Sequence, residues 1–460
     1  MSRIQPSRRI AWDVLTAVRE DDAYANLLLP ARTRQAGLDP ADAGFATELV
    51  YGTLRMRGYY DRIIEIAAKR PAARIDPPVL DILRMGVHQL LGMRTAAHAV
   101  LDESVELTRR ARVASASGFV NGVLRTISRD SPEIWRERAL AGLSGTAGRA
   151  TEFSHPAWVV DAFGAALAAD GAGDELDALL AADNAAPQLA FAAIPGLADP
   201  ETLATQNDPF GAGRVSPIGL RAGGGDPSRI TAVADGRVRV QDEGSQLAAL
   251  ALSRAREVHP GETWLDMCAG PGGKAALLAA EARLGGARLV ANEVVPARAG
   301  LVRSALQVFD DTADAPQVVE GDGRRFGSAP ERFDRILLDA PCSGLGALRR
   351  RPEARWRKTA ADLAELLALQ SQLLDAAAAA LAPDGLLAYV TCSPHQDETH
   401  AQVQALLARN SSLRAVDTPA VLERIAREPL GLATGDAAQL WPHRHGTDAM
   451  FVQLLVKVEQ

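Results

Sequence analysis

Over residues 1–135 the apolar positions recur every three or four residues, which is the spacing of helix faces packed on one another. Ile10, Val14, Leu15 and Val18 form such a stripe within Arg8–Arg19. Asp39-Pro40-Ala41-Asp42 places a capping acid before a proline and predicts a helix running through Thr53. Further stripes predict helices over Tyr59–Ala68, Pro78–Leu91, Ala99–Arg109 and Phe119–Ile127. Residues 136–150 lose the pattern and predict a linker. Residues 151–240 are mixed. A helix opens at Phe153-Ser154-His155-Pro156-Ala157-Trp158, and Leu189–Ile194 reads as a strand. The glycine-rich stretch Gly211–Gly225 predicts a loop, and Val238–Gln246 leads into a helix through Ala255. This is expected to be a small α+β subdomain that links domains or binds RNA.

In residues 241–460 short apolar runs alternate with long Ala/Leu-rich helices, the signature of a mostly parallel sheet. Candidate strands are Thr263–Asp266, Arg288–Glu293, Gln317–Gly321, Asp334–Asp339, Gly385–Thr391 and Ala449–Val458, with a long helix over Ala360–Leu381. The expected architecture is an all-α domain, a small α+β subdomain and an α/β domain.

The first strand of that sheet runs into Cys268-Ala269-Gly270-Pro271-Gly272-Gly273-Lys274 and then into a helix. Strand, glycine turn and helix let a ligand approach backbone N–H groups at a helix N-terminus, where a Cβ would obstruct it. A phosphate loop would need Gly at position 268 and Ser or Thr at 275; Cys268 and Ala275 stand there, and no G-x-G-x-x-G spacing occurs.

Composition narrows the function classes. The chain has 460 residues, a net charge of −7, 47% hydrophobic and 23% charged residues. The acidic balance argues against a general nucleic-acid coat protein and leaves room for a local basic patch. No apolar run is long enough to span a membrane, and Met1-Ser2-Arg3-Ile4-Gln5-Pro6 leads into no signal-peptide core, so a cytoplasmic, membrane-free protein is expected. The 3 cysteines, Cys268, Cys342 and Cys392, have no C-x-x-C spacing, so neither a metal site nor a disulfide framework is expected. A monomer is expected.

Strand ends of such a sheet collect the ligand. Read in order they give Cys268 with the glycine turn, Glu293, Asp322, Asp339 with Cys342, and Cys392. Acids at 293, 322 and 339, without a lysine-rich phosphate cradle, suit a nucleoside carrying a positive sulfonium, S-adenosylmethionine. Glu293 is placed to accept from ribose hydroxyls. Cys342 and Cys392 on neighbouring strand ends add a soft nucleophile. Cytosine C5 does not react with a methyl donor until a thiolate adds at C6. Asp339 is positioned to hydrogen-bond the base and help the ring accept electron density. These residues do not say which cysteine attacks.

The segments Arg8-Arg9-Ile10-Ala11, Phe45–Leu54, Ile82–Leu90 and Phe119–Arg125, in that order, resemble the NusB family of helical RNA-binding domains. Asp266–Lys274, Leu338-Asp339-Ala340-Pro341-Cys342-Ser343-Gly344-Leu345-Gly346 and Tyr389-Val390-Thr391-Cys392-Ser393 resemble the Nol1/Nop2/Sun family of RNA cytosine-C5 methyltransferases. The two together resemble its RsmB/Sun (Fmu) branch, which acts on small-subunit (16S) ribosomal RNA. The resemblance implies a NusB-like RNA-binding domain over 1–135, the small subdomain over 151–240 and a Rossmann-like catalytic domain with a seven-stranded sheet over 241–460. It implies Cys392 as nucleophile, Cys342 as the group that assists release, and Cys268–Lys274, Glu293, Asp322 and Asp339 as the cofactor pocket. Three positions depart from the family's usual pattern: Gly270 replaces Ala, Leu345 replaces Thr, and Asn292-Glu293 replaces an Asp. The same reaction on transfer RNA, and an inactive RNA-binding assembly factor on this fold, are the competing readings. The NusB-like front argues against the first, and the intact Asp339, Cys342 and Cys392 against the second.

RNA contact is expected from Arg3, Arg8 and Arg9 and from a basic loop after Cys342. That loop carries Arg349, Arg350, Arg351, Arg355, Arg357 and Lys358, with Trp356 among them.

Overall fold

The computed structural model describes residues 4–205, 209–223, 225–310 and 315–458; Arg3 lies outside them. The chain folds as two compact units, Met1–Asp161 with Leu180–Ala186 and Leu348–Lys358, and Ala162–Leu179 with Pro187–Ala347 and Thr359–Gln460. Residues 151–240 are therefore shared between the units, and the basic loop belongs to the first.

The first unit is helical because its stripes meet. Pro6–Glu20 begins on a proline and buries Ile10, Ala11, Val14, Leu15 and Val18. Asp39 accepts from the Asp42 N–H and caps Pro40–Arg55. Arg57–Ala68, Pro77–Val87, Ala97–Arg110 and Ser117–Ile127 follow. Pro77–Val87 ends in a wider π turn over His88–Gly92, whose His88 Nδ1 lies 2.8 Å from the Tyr60 hydroxyl. A Cβ on Gly52 would sit 2.0 Å from the His88 ring, so that close approach requires glycine.

The expected linker over 136–150 is instead the body of two helices, Pro132–Leu140 and Gly145–Glu152. Ser131 caps the first of them, and buried Trp135 and Ala139 face the helical core. The Trp135 indole N–H donates to Ile127 O at 2.9 Å.

The second unit contains two sheets. β1 (Leu189–Ala193), β2 (Phe210–Ala212), β3 (Gly219–Ala222) and β4 (Val238–Val240) form an antiparallel sheet in the order β2-β3-β1-β4. Helices Pro200–Thr205 and Thr231–Ala234 give the connectivity β-α-β-β-α-β. The stretch expected as a loop at 211–225 thus holds most of a hairpin, pairing Phe210 with Ala222 and Ala212 with Leu220. Its apolar residues explain this: Phe210 packs edge-on against Phe191 at 5.1 Å, and Leu220 is fully buried beside them.

The larger sheet comprises β5 (Thr263–Asp266), β6 (Arg288–Glu293), β7 (Gln317–Glu320), β8 (Phe333–Asp339), β9 (Leu381–Thr391), β10 (Leu413–Ala415), β11 (Ala437–Gln439) and β12 (Phe451–Lys457). Its order is β10-β12-β9-β8-β5-β6-β7, with β11 paired to β12. Strands β5 to β9 pair in parallel, and β12 is antiparallel to β9. Ile336, Leu337 and Leu338 are all fully buried in β8, as a central parallel strand covered on both faces requires. The expected strands appear; β10 and β11, three residues each, carry too short a pattern to read. β5 pairs with β6 on one side and β8 on the other, so the crossovers reverse direction there and open a crevice at its carboxyl end.

Candidate active site

That carboxyl end holds the glycine turn. Met267 N–H donates to Leu337 O and Ala269 N–H to Asn292 O, so the chain stays stitched to both neighbouring strands before it turns. Gly272, at φ +106°, heads the helix Gly273–Leu284, and a Cβ there would meet Ala305 at 2.5 Å. A Cβ on Gly270 would lie 2.2 Å from Glu293 Oε2.

Glu293, buried at the end of β6, grips this turn. Its Oε2 accepts from Gly270 N–H at 3.0 Å and its Oε1 from Val295 N–H at 2.9 Å. Arg298 donates to Gly270 O at 2.6 Å. Asn292 faces away, its amide donating to Met267 O and Gly321 O at 3.0 Å each. Of the two residues that replace the family's usual acid, Glu293 is therefore the one at the turn. Its carboxylate, carried one methylene further than that of an Asp, fills the room an alanine at 270 would need.

Lys274 Nζ lies 2.8 Å from Asp339 Oδ2 at the end of β8. Burial works against the lysine's charge, but Asp339 and the nearby Cys392 sulfur outweigh it, and the amine stays above its usual value. Asp266 is buried at the end of β5, and neither of its carboxylate oxygens has a hydrogen-bond partner. Burial first, then the Asp339 charge, push its carboxyl up to about 8. Asp322, half-exposed beyond β7, caps the turn Gly323–Gly327 and pairs with Arg324, which holds its carboxyl below the usual range.

The sulfurs of Cys342 and Cys392 stand 3.4 Å apart as free thiols. Their hydrogen bond divides one proton unequally. It raises the Cys342 thiol, with burial adding to the rise, and lowers the Cys392 thiol, where Lys274 adds to the stabilisation of the anion. Cys392 is therefore the more easily ionised of the two sulfurs. Cys268 is pushed far up, by burial first and then by Asp266, Asp339 and Glu293, which disfavours its thiolate.

Asp266, the glycine turn, Glu293, Lys274, Asp339 and the sulfur pair are therefore brought together, with Asp322 on the adjoining strand end. Gln241 was not legible as part of this group. It is buried, its amide packs 3.6 Å from the Cβ position of Gly273, and its Oε1 has no partner. The only signal is a polar run, Gln241–Gln246, leading into the helix Glu243–Ser253, whose Leu247–Leu252 are buried all round. Glu398, which bonds Ser343 beside Cys342, carried no local signal at all.

The arginines expected on RNA divide. Arg8 is 3% exposed, bound to Glu103 at 2.8 Å and Gln89 at 2.5 Å, with its guanidinium over Phe45. Arg355 is 0% exposed and donates to Arg55 O, Ser154 O, Asp183 O and Asn184 Oδ1. Burial pulls it down to about 10. These two pin the first unit together and have no surface left for a phosphate, which corrects the expectation drawn from charge alone. Arg349 is also buried and Arg350 half-buried. Arg9 and Arg351 are exposed, Arg351 lying 5.6 Å from the Tyr24 ring. Among the described residues no group of acids, cysteines and histidines has metal-holding geometry, and no helix is long and apolar enough to cross a membrane.

The family model described as 16S rRNA methyltransferase RsmB/F matches residues 254–456, and that of the NusB family matches residues 5–129. The ribosomal RNA small subunit methyltransferase B of Pseudomonas syringae pv. tomato is 31% identical over 471 residues, covering 98% of this chain and 97% of the relative. The chain belongs to the RsmB/F family of 16S rRNA methyltransferases. A putative methyltransferase of Mycobacterium tuberculosis (strain H37Rv) is 46% identical to this RsmB/F-family chain over 455 residues, 98% of this chain and 96% of the relative. The crystal structure of PH0851 shares the fold, with a TM-score of 0.79 at 21% identity over 99% of this chain and 100% of that one. The similarity to these relatives runs through both the residues matched by the NusB model and those matched by the RsmB/F model.

Proposed function

We propose that this RsmB/F-family methyltransferase transfers a methyl group from S-adenosylmethionine to C5 of a cytosine in small-subunit ribosomal RNA. The observation that carries the reading is the sulfur pair at 3.4 Å beside the Lys274–Asp339 ion pair. A single nucleophile for a pyrimidine would need only one of those sulfurs.

The cofactor supplies an electrophilic methyl when bound. The residues fit it: a glycine turn that a Cβ would fill, and beside it the orphaned oxygens of Gln241 and Asp266, which suit a cationic ligand with hydrogen-bond donors. Cys268–Lys274 would line it from the turn, Glu293 and Asp322 from the ends of β6 and β7, and Asp339 from β8.

Cys392, lowered by its partner's hydrogen bond and by Lys274, adds as the thiolate to C6 of the base. Electron density moves into the ring, and C5 becomes nucleophilic. Asp339, held by Lys274, is oriented to hydrogen-bond the polar edge of the cytosine as that density builds. In the release step the C5 proton passes to water, the C5–H electron pair re-forms the C5–C6 double bond, and the C6–S bond breaks with its pair on sulfur, restoring the Cys392 thiolate. Cys342 stands within hydrogen-bond reach of that sulfur to assist.

The test is a pair of variants with labelled cofactor and small-subunit RNA. Cys392→Ala abolishes transfer while cofactor binding persists, and Cys342→Ala accumulates a covalent protein–RNA adduct on a denaturing gel. Normal turnover by Cys392→Ala, or no adduct with Cys342→Ala, removes the assigned roles. Bisulfite sequencing of RNA from a deletion strain separates ribosomal from transfer RNA as substrate.

A further inference from the structure

Each cysteine of the pair is followed by a serine, and the two serines meet: Ser343 Oγ and Ser393 Oγ are 3.0 Å apart. Ser343 in turn bonds one buried carboxylate. Glu398 is 0% exposed at the end of the short turn Gln396–Glu398. Its Oε1 accepts from Ser343 N–H at 2.7 Å and from Gln370 Nε2 at 3.1 Å, and its Oε2 accepts from the Ser343 hydroxyl. Gln370 also donates to Pro341 O at 2.9 Å, on the other side of Cys342. The turn itself is pinned to β9, because the Tyr389 hydroxyl donates to Glu398 O at 2.7 Å. Thr391, next to Cys392, donates to Ser393 O at 2.8 Å.

We propose that Glu398 is a positioning residue for the reaction: it clamps the Cys342 loop onto the Cys392 strand end so that Cys342 remains the donor and Cys392 the attacking sulfur. The assignment rests on the cytosine-C5 reading above.

Three bonds from neutral donors satisfy this carboxylate, and among the described residues no cation pairs with it. Removing a charge from water without a counter-ion is expensive, and an amide or an apolar side chain would fill the same space at less cost. All three of its side-chain bonds are accepted ones, on both oxygens, which a carboxylate can take and an amide cannot. The charge acts on Cys342, whose thiol Glu398 helps to hold up, behind the larger effects of Cys392 and burial. The clamp therefore sets both the distance between the sulfurs and the side on which their shared proton resides.

The isosteric variant Glu398→Gln removes the charge and keeps one acceptor oxygen. It is expected to lower kcat about 100-fold with little change in KM, the scale on which misplacement of reacting groups is felt. In the full-length protein without RNA, site-resolved iodoacetamide labelling gives a Cys392-to-Cys342 ratio near neutral pH. That ratio is expected to fall about tenfold in Glu398→Gln, one pKa unit of lost discrimination. Loss of turnover with an unchanged labelling ratio reduces Glu398 to a packing residue and overturns the proposal; so does wild-type turnover. If Glu398→Gln does not fold, Ser343→Ala, which leaves the carboxylate in place and removes one of its bonds, decides on the same two readouts. A wild-type protein that methylates no cytosine fails the earlier reading instead, and does so before any variant is made.

Discussion

At the scale of single residues, the glycine turn brings together two residues, Gly270 and Glu293, whose identities explain each other. An alanine at 270 needs the space that the Glu293 carboxylate occupies, 2.2 Å from the required Cβ. Gly270→Ala alone is expected to weaken S-adenosylmethionine binding about tenfold or more, because Glu293 must release the turn. Gly270→Ala with Glu293→Asp is expected to recover most of that loss, a coupling that a double-mutant cycle by calorimetry reads directly. Asp266 offers a pH test. Its carboxyl titrates near 8 in the fold and near the ordinary Asp value, about 4, in the unfolded chain. Between those values the folded state holds a proton that the unfolded state has lost, so stability falls as pH rises from about 4 to about 8. Asp266→Asn is expected to flatten that part of the pH–stability curve and to raise the denaturant midpoint at its upper end. Identical pH profiles for the two proteins would remove Asp266 as the cause. The sulfurs and strand-end acids were legible in the sequence because they sit in short contiguous motifs. Glu398 and Gln241 were not, since their importance comes from groups more than 25 positions away.

At the scale of elements, what could be read followed from pattern length. The strands β5, β6 and β8 stand out because each is a run of buried residues between breakers, and their ends name the site. The hairpin of β2 and β3 does not, because its glycines outnumber the two apolar residues that anchor it. Nor does Arg335, a cation in the middle of a central strand, look like anything but an interruption. In the fold it is 0% exposed, pairs with Glu262 at 2.8 Å, lies over Trp264, and donates to Leu252 O and Ser253 O at the end of the helix Glu243–Ser253. It therefore caps the last carbonyls of a largely buried helix while neutralising a buried acid. Breaking a buried pair from one side costs about 3–5 kcal/mol, since the other charge is left without a partner. Arg335→Met is expected to lose that much in urea titration of the full chain, and Arg335→Met with Glu262→Gln to regain part of it. No regain in the double variant would show that capping the carbonyls, and not the ion pair, sets the stability.

At the scale of the whole molecule, a chain with a net charge of −7 that belongs to a 16S rRNA methyltransferase family must meet its RNA through limited surfaces. Sequence counts every arginine alike; burial does not. Arg8 and Arg355 are buried and hydrogen-bonded inside the first unit, whereas Arg9 and Arg351 are exposed. Arg351 and Arg357 flank the half-exposed Tyr24 ring, at 5.6 and 4.9 Å, the mix of cation and aromatic that tracks single-stranded RNA. Each phosphate contact contributes about 0.7 to the slope of log affinity against log salt for single strands. Arg9→Gln and Arg351→Gln are each expected to lower that slope by about this amount and to leave the melting temperature unchanged. Arg8→Met and Arg355→Met are expected to do the reverse, lowering the melting temperature while a folded sample at low temperature keeps the wild-type slope. A salt-independent affinity in the wild type would mean that RNA is held without phosphate contacts. A slope that changes with Arg355 but not with Arg351 would mean that the buried guanidinium reaches the RNA after all, which requires the first unit to open around Asp183 and Asn184.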